Sequence, residues 1–208
     1  MSAIEWMHTI TFWVLYSAAA LATFVIIERA IFYTRTSSMA KKLVKAIPFD
    51  IERLDQVPRE LLERQSVAGT AIKEMLERRK RARNAAEVEG AAESIFIESK
   101  GALTRHLWIM DTVVTAAPLL GLLGTILGII DTFTALAQSG ISDPAGVSAG
   151  IGTALYATAL GISTALYALV FHNAFHERVS RINDSLKVLL IRTGTHDHLT
   201  NMVARAAE

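Results

Sequence analysis

The residues of this 208-residue chain that could do chemistry stand outside its apolar stretches, with a few hydroxyls as the exception. There is no cysteine, which excludes disulfides, thiolate metal sites and cysteine nucleophiles. His172 and His176 are four apart, a helical spacing that can chelate a metal, but no glutamate lies between them as in the zinc-protease pattern. They read as residues at the end of an apolar run, and His196 and His198 as part of a polar tail. No serine elbow, phosphate loop or carboxylate pair is present, so neither an enzyme nor a bound metal or cofactor is expected. What remains is Thr125, Thr153 and Thr158, hydroxyls set among apolar residues. A hydroxyl can order water or a carboxylate, but ion transfer needs a group that loses and regains charge. Residues 9–27, 112–130 and 145–171 contain no Asp, Glu, Lys, Arg or His; Asp111, Asp131 and His172 stand only at their ends. Charge within a membrane is costly and usually functional where it occurs. A titrating carboxylate must therefore come from another chain, or there is no ion pathway.

Those three stretches are the elements that must position the hydroxyls. They run for 19, 19 and 27 residues. A helix rises about 1.5 Å per residue and the hydrocarbon core is about 30 Å thick, so roughly 20 apolar residues cross it. A buried helix of a soluble protein rarely stays uncharged so long. The first run is expected to be a retained helix rather than a secretory leader. No Lys or Arg precedes Thr9, no small-residue cleavage motif closes the run, and Glu28 and Arg29 stop it.

Charge sets the orientation. Residues 1–8 and 131–144 carry no Lys or Arg, residues 28–111 carry 16, and the segment from His172 carries the remaining 5. Basic residues stay on the cytoplasmic side. The expected layout is a periplasmic N-terminus (1–8), a first span (9–27) and a cytoplasmic helical region (28–111). A second span (112–134), a short periplasmic loop (135–144), a third span (145–171) and a cytoplasmic C-terminal helix and tail (172–208) follow. Trp6, Trp13, Tyr33 and Trp108 sit near the span ends, where aromatic rings favour the interface. The fold class is an all-α membrane protein of the inner membrane: three transmembrane helices with long cytoplasmic helical extensions.

Pro48 and Pro58 break the start of the cytoplasmic region. The pattern from Glu60 to Arg83 is helical, and so is the stretch after Asn84, where Val88, Ile95 and Ala102 recur every seven residues. No proline intervenes between Arg59 and Pro118, so the second span is expected to begin as a helix near residue 85. The third span should continue beyond the membrane, because Phe175, Val179, Ile182, Leu186 and Leu189 form an apolar stripe. The two extensions are expected to pack as an antiparallel pair. The basic run from Glu77 to Arg83 has no interleaved aromatics for base stacking. It reads as a solvated face near anionic lipid headgroups, so membrane lipids are an expected partner and nucleic acid is not.

Within the membrane, Gly121, Gly124 and Gly128 share one face of the second span. A matching small stripe runs along the third: Gly150, Ala154, Ala157, Gly161, Ala165 and Ala168. Small faces let helices approach closely. Asp143 as N-cap and Pro144 at the first helical position fix the hairpin between them, and Pro118 is expected to kink or loosen the second span. Thr125 lies 13 residues before Gln138, and Thr158 lies 14 after Pro144, so the two hydroxyls should sit at similar depth. They could face each other, or each could bond back to its own helix.

The run Ala117-Pro118-Leu119-Leu120-Gly121-Leu122-Leu123-Gly124-Thr125-Ile126-Leu127-Gly128-Ile129 resembles the signature of the ExbB/TolQ/MotA family of proton-channel subunits. So does Gly150-Ile151-Gly152-Thr153-Ala154-Leu155-Tyr156-Ala157-Thr158-Ala159-Leu160-Gly161. Ile27-Glu28-Arg29 after the first span looks typical of the ExbB branch, and the likeness extends over nearly the whole chain. It implies a homo-oligomer, a pentamer, whose second and third spans surround a pore. An ExbD-like single-span partner would fill that pore and supply an aspartate, and proton flow would drive a TonB-like periplasmic protein that energises outer-membrane transport. The family's pore-facing threonines correspond to Thr125 and Thr158. At Thr153, familiar members carry glutamate in a GIAEAL-like run, so a carboxylate relay at that position is missing here. A TolQ-like subunit for envelope maintenance, a MotA-like stator and a passive membrane scaffold are the competing roles. The stator fits least, because the chain lacks a longer cytoplasmic domain and an extra span.

Overall fold

The computed structural model describes residues 3–47, 66–139 and 144–194, and these are helical apart from short connections. The helices are α1 (Ala3–Ala46), α2 (Val67–Arg81), α3 (Ala85–Thr104), α4 (Leu107–Ser139) and α5 (Pro144–Gly194). Three of them, α1, α4 and α5, contain stretches long and apolar enough to cross a membrane. The described residues gather into two compact units, one from Met1–Glu28 with His106–Ala174, the other from Arg29–Arg105 with Phe175–Glu208.

The first unit is built inside out relative to a soluble bundle. Its core is thin and small: Leu15 and Ala22 of α1, Val113 and Ala117 of α4, and Ala165 and Ala168 of α5. Large apolar residues point outward instead, among them Trp13, Phe24, Leu119 and Val170, all about two-thirds exposed. In water this would waste the hydrophobic effect. In hydrocarbon, helix association rests on close packing of small residues while large ones meet lipid. Trp6, Trp13 and Trp108 are more than half exposed. Phe12 of α1 stacks on Tyr156 of α5 with ring centroids 6.3 Å apart. Pro144 is the first residue of α5, where its missing N–H costs nothing; Asp143 lies outside the described residues. Pro118 stands inside α4, which continues through it.

The second unit packs like a water-soluble bundle. The stripe Phe175, Val179, Ile182, Leu186 and Leu189 on α5 is buried throughout. Ser66 caps α2, accepting from the Gly69 amide at 3.0 Å, and Asn84 caps α3, accepting from the Glu87 amide at 2.8 Å. α3 and α5 run antiparallel: Val88 lies near Gly194, while Phe96 carries the Lys187 ammonium 5.2 Å from its ring centre. Arg192 of α5 closes the end of α1 by donating to the carbonyls of Val44 and Ile47 at 2.7 and 2.9 Å. Within the basic run, Arg78 pairs with Glu74 at 2.6 Å and donates to Ser94 at 3.3 Å, and Arg79 donates to the Thr193 carbonyl at 3.0 Å. Two of these cations thus join α2 to its neighbours, while Lys80, Arg81 and Arg83 remain exposed.

Three sequence expectations need correction. The second span does not begin as one helix near residue 85. The helix stops at Thr104 and restarts at Leu107, with His106 at φ 69° between them. The seven-residue repeat on α3 fails at its third member: Val88 and Ile95 are buried, but Ala102 is exposed and Ser99 and Leu103 take the inner face. A straight helix drifts about 20° per heptad, so the inner face moves off a seven-residue stripe. Tyr33 is not an interfacial ring. It is fully buried, packed against Phe32 and Phe175, with its hydroxyl bonded to the Leu103 carbonyl.

Candidate functional site: a threonine pair at a close helix crossing

The site lies where α4 crosses α5 inside the first unit. The crossing is close because side chains are missing on both helices. A Cβ placed on Gly121 would lie 2.9 Å from the Ala157 carbonyl oxygen and 3.1 Å from the Thr158 Cα. One on Gly161 would lie 2.5 Å from the Ala117 carbonyl oxygen and 3.0 Å from the Gly121 Cα. Gly124 faces the Ala157 methyl and, on its other side, Thr11 of α1. Ala154 and Ala157 are fully buried, and Gly128 is buried as well. Gly150 leaves room for Thr132, whose hydroxyl would collide with any side chain there. Gly152, by contrast, has nothing near its missing side chain.

That closeness brings backbone and hydroxyl groups of the two helices within bonding range. The Thr125 and Thr158 hydroxyls touch each other directly. Thr158 donates across the crossing to the Gly121 carbonyl at 3.0 Å, and Thr125 reaches the Ala154 carbonyl at 3.1 Å. Thr125 also lies 3.3 Å from the Gly121 carbonyl of its own helix. Back-bonding alone therefore does not describe the pair: both hydroxyls bond across the crossing. Each hydroxyl has one proton and two lone pairs. With the protons committed to carbonyls or to the neighbouring oxygen, the oxygens keep acceptor capacity. Both residues are half-buried.

Thr153 is not part of this cluster. It is exposed, and its hydroxyl donates to the Ala149 carbonyl of its own helix at 2.9 Å. Sequence reasoning missed Thr132 and Thr11. Thr132 is buried, donates to the Gly128 carbonyl at 2.7 Å and fills the notch at Gly150. Its signal was available, since it stands seven residues after Thr125 on the same face. Thr11 is buried beside Gly124, and nothing in its local sequence distinguishes it from other threonines of the first run. Among the described residues no three His, Asp or Glu side chains lie close enough to hold a metal. His172 is half-buried and His176 exposed; His196 and His198 lie outside the described residues.

Known proteins resemble this chain in sequence over the same region. Residues 63–187 match the model of the MotA/TolQ/ExbB proton channel family, taking in α2, α3, α4 and most of α5. The chain is 38% identical over 115 residues to a protein named as an ExbB homolog in Methanothermobacter thermautotrophicus, covering 55% of this chain and 39% of that one. It is 30% identical over 145 residues to the biopolymer transport protein ExbB of Pseudomonas putida, covering 64% and 44%. It is 40% identical over 77 residues to the ExbB of Aquifex aeolicus, covering 37% and 52%. The alignments thus span about two-fifths to one-half of the length of these relatives. The threonine crossing and both glycine-rich runs fall inside the matched region, and the chain, a multi-pass membrane protein, belongs to the MotA/TolQ/ExbB proton channel family.

Proposed function

We propose that this chain is the multi-span subunit of a proton-driven motor in the inner membrane. With an ExbD-like single-span partner it uses the proton-motive force to energise TonB-dependent transport across the outer membrane. The observation that carries this reading is the paired Thr125 and Thr158 hydroxyls at a close crossing, in spans that contain no Asp, Glu, Lys, Arg or His. Such a site can orient a carboxylate or a water but cannot itself carry a proton. It fits a role as host for an aspartate on the partner's helix. The curated relatives named ExbB favour the TonB-linked branch. Copies of the chain, five in the inferred assembly, surround the partner's helices through α4 and α5. The exposed Thr153 hydroxyl is open to a neighbouring helix in that assembly. The N-terminus is periplasmic, and the second unit, with all 21 basic residues, is cytoplasmic.

The test is voltage-driven proton flux in proteoliposomes. Chain alone should conduct nothing above the lipid background. Chain assembled with a single-span partner bearing one intramembrane aspartate should conduct. Robust current from the chain alone would end the proposal, because it would require a proton carrier inside this polypeptide.

A further inference from the structure

Within the second unit, α2 and α3 form an antiparallel pair, and a cleft of about 470 Å³ lies between the start of α2 and the later turns of α3. Its floor is apolar: Ala71 and Ile95 are both buried. Its walls carry the carboxylates of Glu74 and Glu98 and the hydroxyls of Thr70 and Ser99, with no Lys, Arg or His among the lining residues.

Ser99 is the informative member. It is 8% exposed, and its hydroxyl makes no hydrogen bond to any described residue. Elsewhere in the chain, helical hydroxyls return to the carbonyl of the preceding turn, as at Thr104 and Ser185. A hydroxyl taken out of water without a partner is costly. Ser99 accepts that cost and faces the cleft.

The charges at the cleft have a definite sign. Arg78 pairs with Glu74 at 2.6 Å and lies 3.8 Å from Glu98, whose carboxylate also accepts from Ser94 at 3.3 Å. All of these contacts use Oε1, so Oε2 of each carboxylate has no partner among the described residues. One guanidinium between two carboxylates leaves one net negative charge. The start of α2 and the end of α3 meet at the opposite end of the cleft, where their dipoles oppose each other, so the carboxylates decide the sign. The matching ligand is a monocation with several N–H donors and an apolar body. A primary ammonium has three donors and no acceptor, against three open acceptors: two Oε2 atoms and the Ser99 oxygen. A quaternary ammonium would leave Ser99 unsatisfied. A divalent metal ion asks for six or more oxygens, and no group of three His, Asp or Glu close enough to hold one exists among the described residues.

We propose that this cleft binds a primary alkylammonium ion, with its methylenes on Ala71 and Ile95 and its nitrogen between Glu74, Glu98 and Ser99. A free polyamine and a lysine side chain both present that chemistry. The site lies wholly within the second unit and does not depend on the ion-pathway reading.

Isothermal titration calorimetry on the full chain tests this in nanodiscs of phosphatidylcholine, which carries no net negative charge to attract amines. The probes are 1,4-diaminobutane, Nα-acetyl-lysine methylamide and tetramethylammonium. The primary amines should bind saturably at one site per chain, and the tighter of the two identifies the source as free polyamine or lysine side chain. Tetramethylammonium should bind at least tenfold more weakly, because it cannot donate. Ser99→Ala keeps the helix, removes the buried acceptor, and should weaken amine binding on the order of tenfold, the effect of one hydrogen bond to a charged group. Ala102→Leu fills the cleft from its exposed edge and should abolish binding. Glu98→Gln, on the exposed rim, should weaken binding to a similar degree as Ser99→Ala and leaves the core untouched. It therefore reads the site even if Ser99→Ala lowers the melting temperature. Absence of saturable amine binding, equal affinity for tetramethylammonium, or wild-type affinity in Ala102→Leu or Glu98→Gln overturns the proposal.

Discussion

In the proposed role Thr125 and Thr158 act through geometry, so the informative substitutions keep shape and remove oxygen. Valine has nearly the volume of threonine. Each change forfeits interhelical hydrogen bonds worth about 0.6 kcal/mol apiece in membranes, too little to separate α4 from α5. Thr125→Val with Thr158→Val is expected to leave assembly with the partner unchanged by size-exclusion chromatography while lowering proton flux at least tenfold. Flux equal to wild type would remove the pair from the path. Thr153→Val should have a smaller effect, since that hydroxyl bonds only within its own helix. The glycines at the crossing respond in the opposite sense, losing structure rather than chemistry. Gly161→Ala places a methyl 2.5 Å from the Ala117 carbonyl oxygen, and backbone must move. Overpacking of this kind costs about 1–3 kcal/mol. Gly152→Ala meets nothing within 4 Å and gains helix propensity of about 1 kcal/mol. Thermal unfolding in detergent should therefore place Gly161→Ala below wild type and Gly152→Ala at or above it. The reverse order would mean that the crossing is looser than the structure shows.

At the scale of elements, the sequence reveals what depends on period and length and hides what depends on distant neighbours. The three long apolar runs, the α5 stripe from Phe175 to Leu189 and the small faces of α4 and α5 follow from spacing alone. The depth match of Thr125 and Thr158 followed from counting residues outward from the short loop, because two helices joined by a tight hairpin share a rise per residue. The break at His106 was not legible, since residues 102–108 contain no glycine or proline to stop a helix. The burial of Tyr33 was hidden because a ring near a span end reads as interfacial until its partner is seen. Thr132 was hidden because its role is to fill a notch left by Gly150 on another helix. The capped starts of α2 and α3 were also not anticipated. Asn84 accepts from Glu87, and the Glu87 carboxylate in turn accepts from the Arg83 amide at 2.8 Å. Replacing Asn84 by Ala should cost about 1 kcal/mol. In chemical denaturation the midpoint should fall without a change in slope; an unchanged midpoint would show that the α3 cap is dispensable.

For the molecule as a whole, the decisive quantity is where charge is allowed. All 21 basic residues fall in segments 28–111 and 172–208, while the spans and the short loop between α4 and α5 have none. The bias in basic residues predicts the orientation, because basic loops are retained in the cytoplasm. In the proposed orientation, residues around Glu89 are expected inside the cell and residues around Ala135, at the far end of α4, outside it. The native chain has no cysteine, so single-cysteine variants report one position each without background. Both positions are exposed, so a label can reach either. A membrane-impermeant maleimide applied to spheroplasts should modify Ala135→Cys before lysis and Glu89→Cys only after it. Labelling of Glu89→Cys in intact spheroplasts would invert the protein. The proposed ion pathway is bound to the same result: a proton crossing from the periplasm would enter at the short-loop end of α4 and α5 only if Ala135 faces that side. In an inverted chain the short-loop end would face the cytoplasm, and the driven direction would no longer fit the proposed motor powered by inward proton flow.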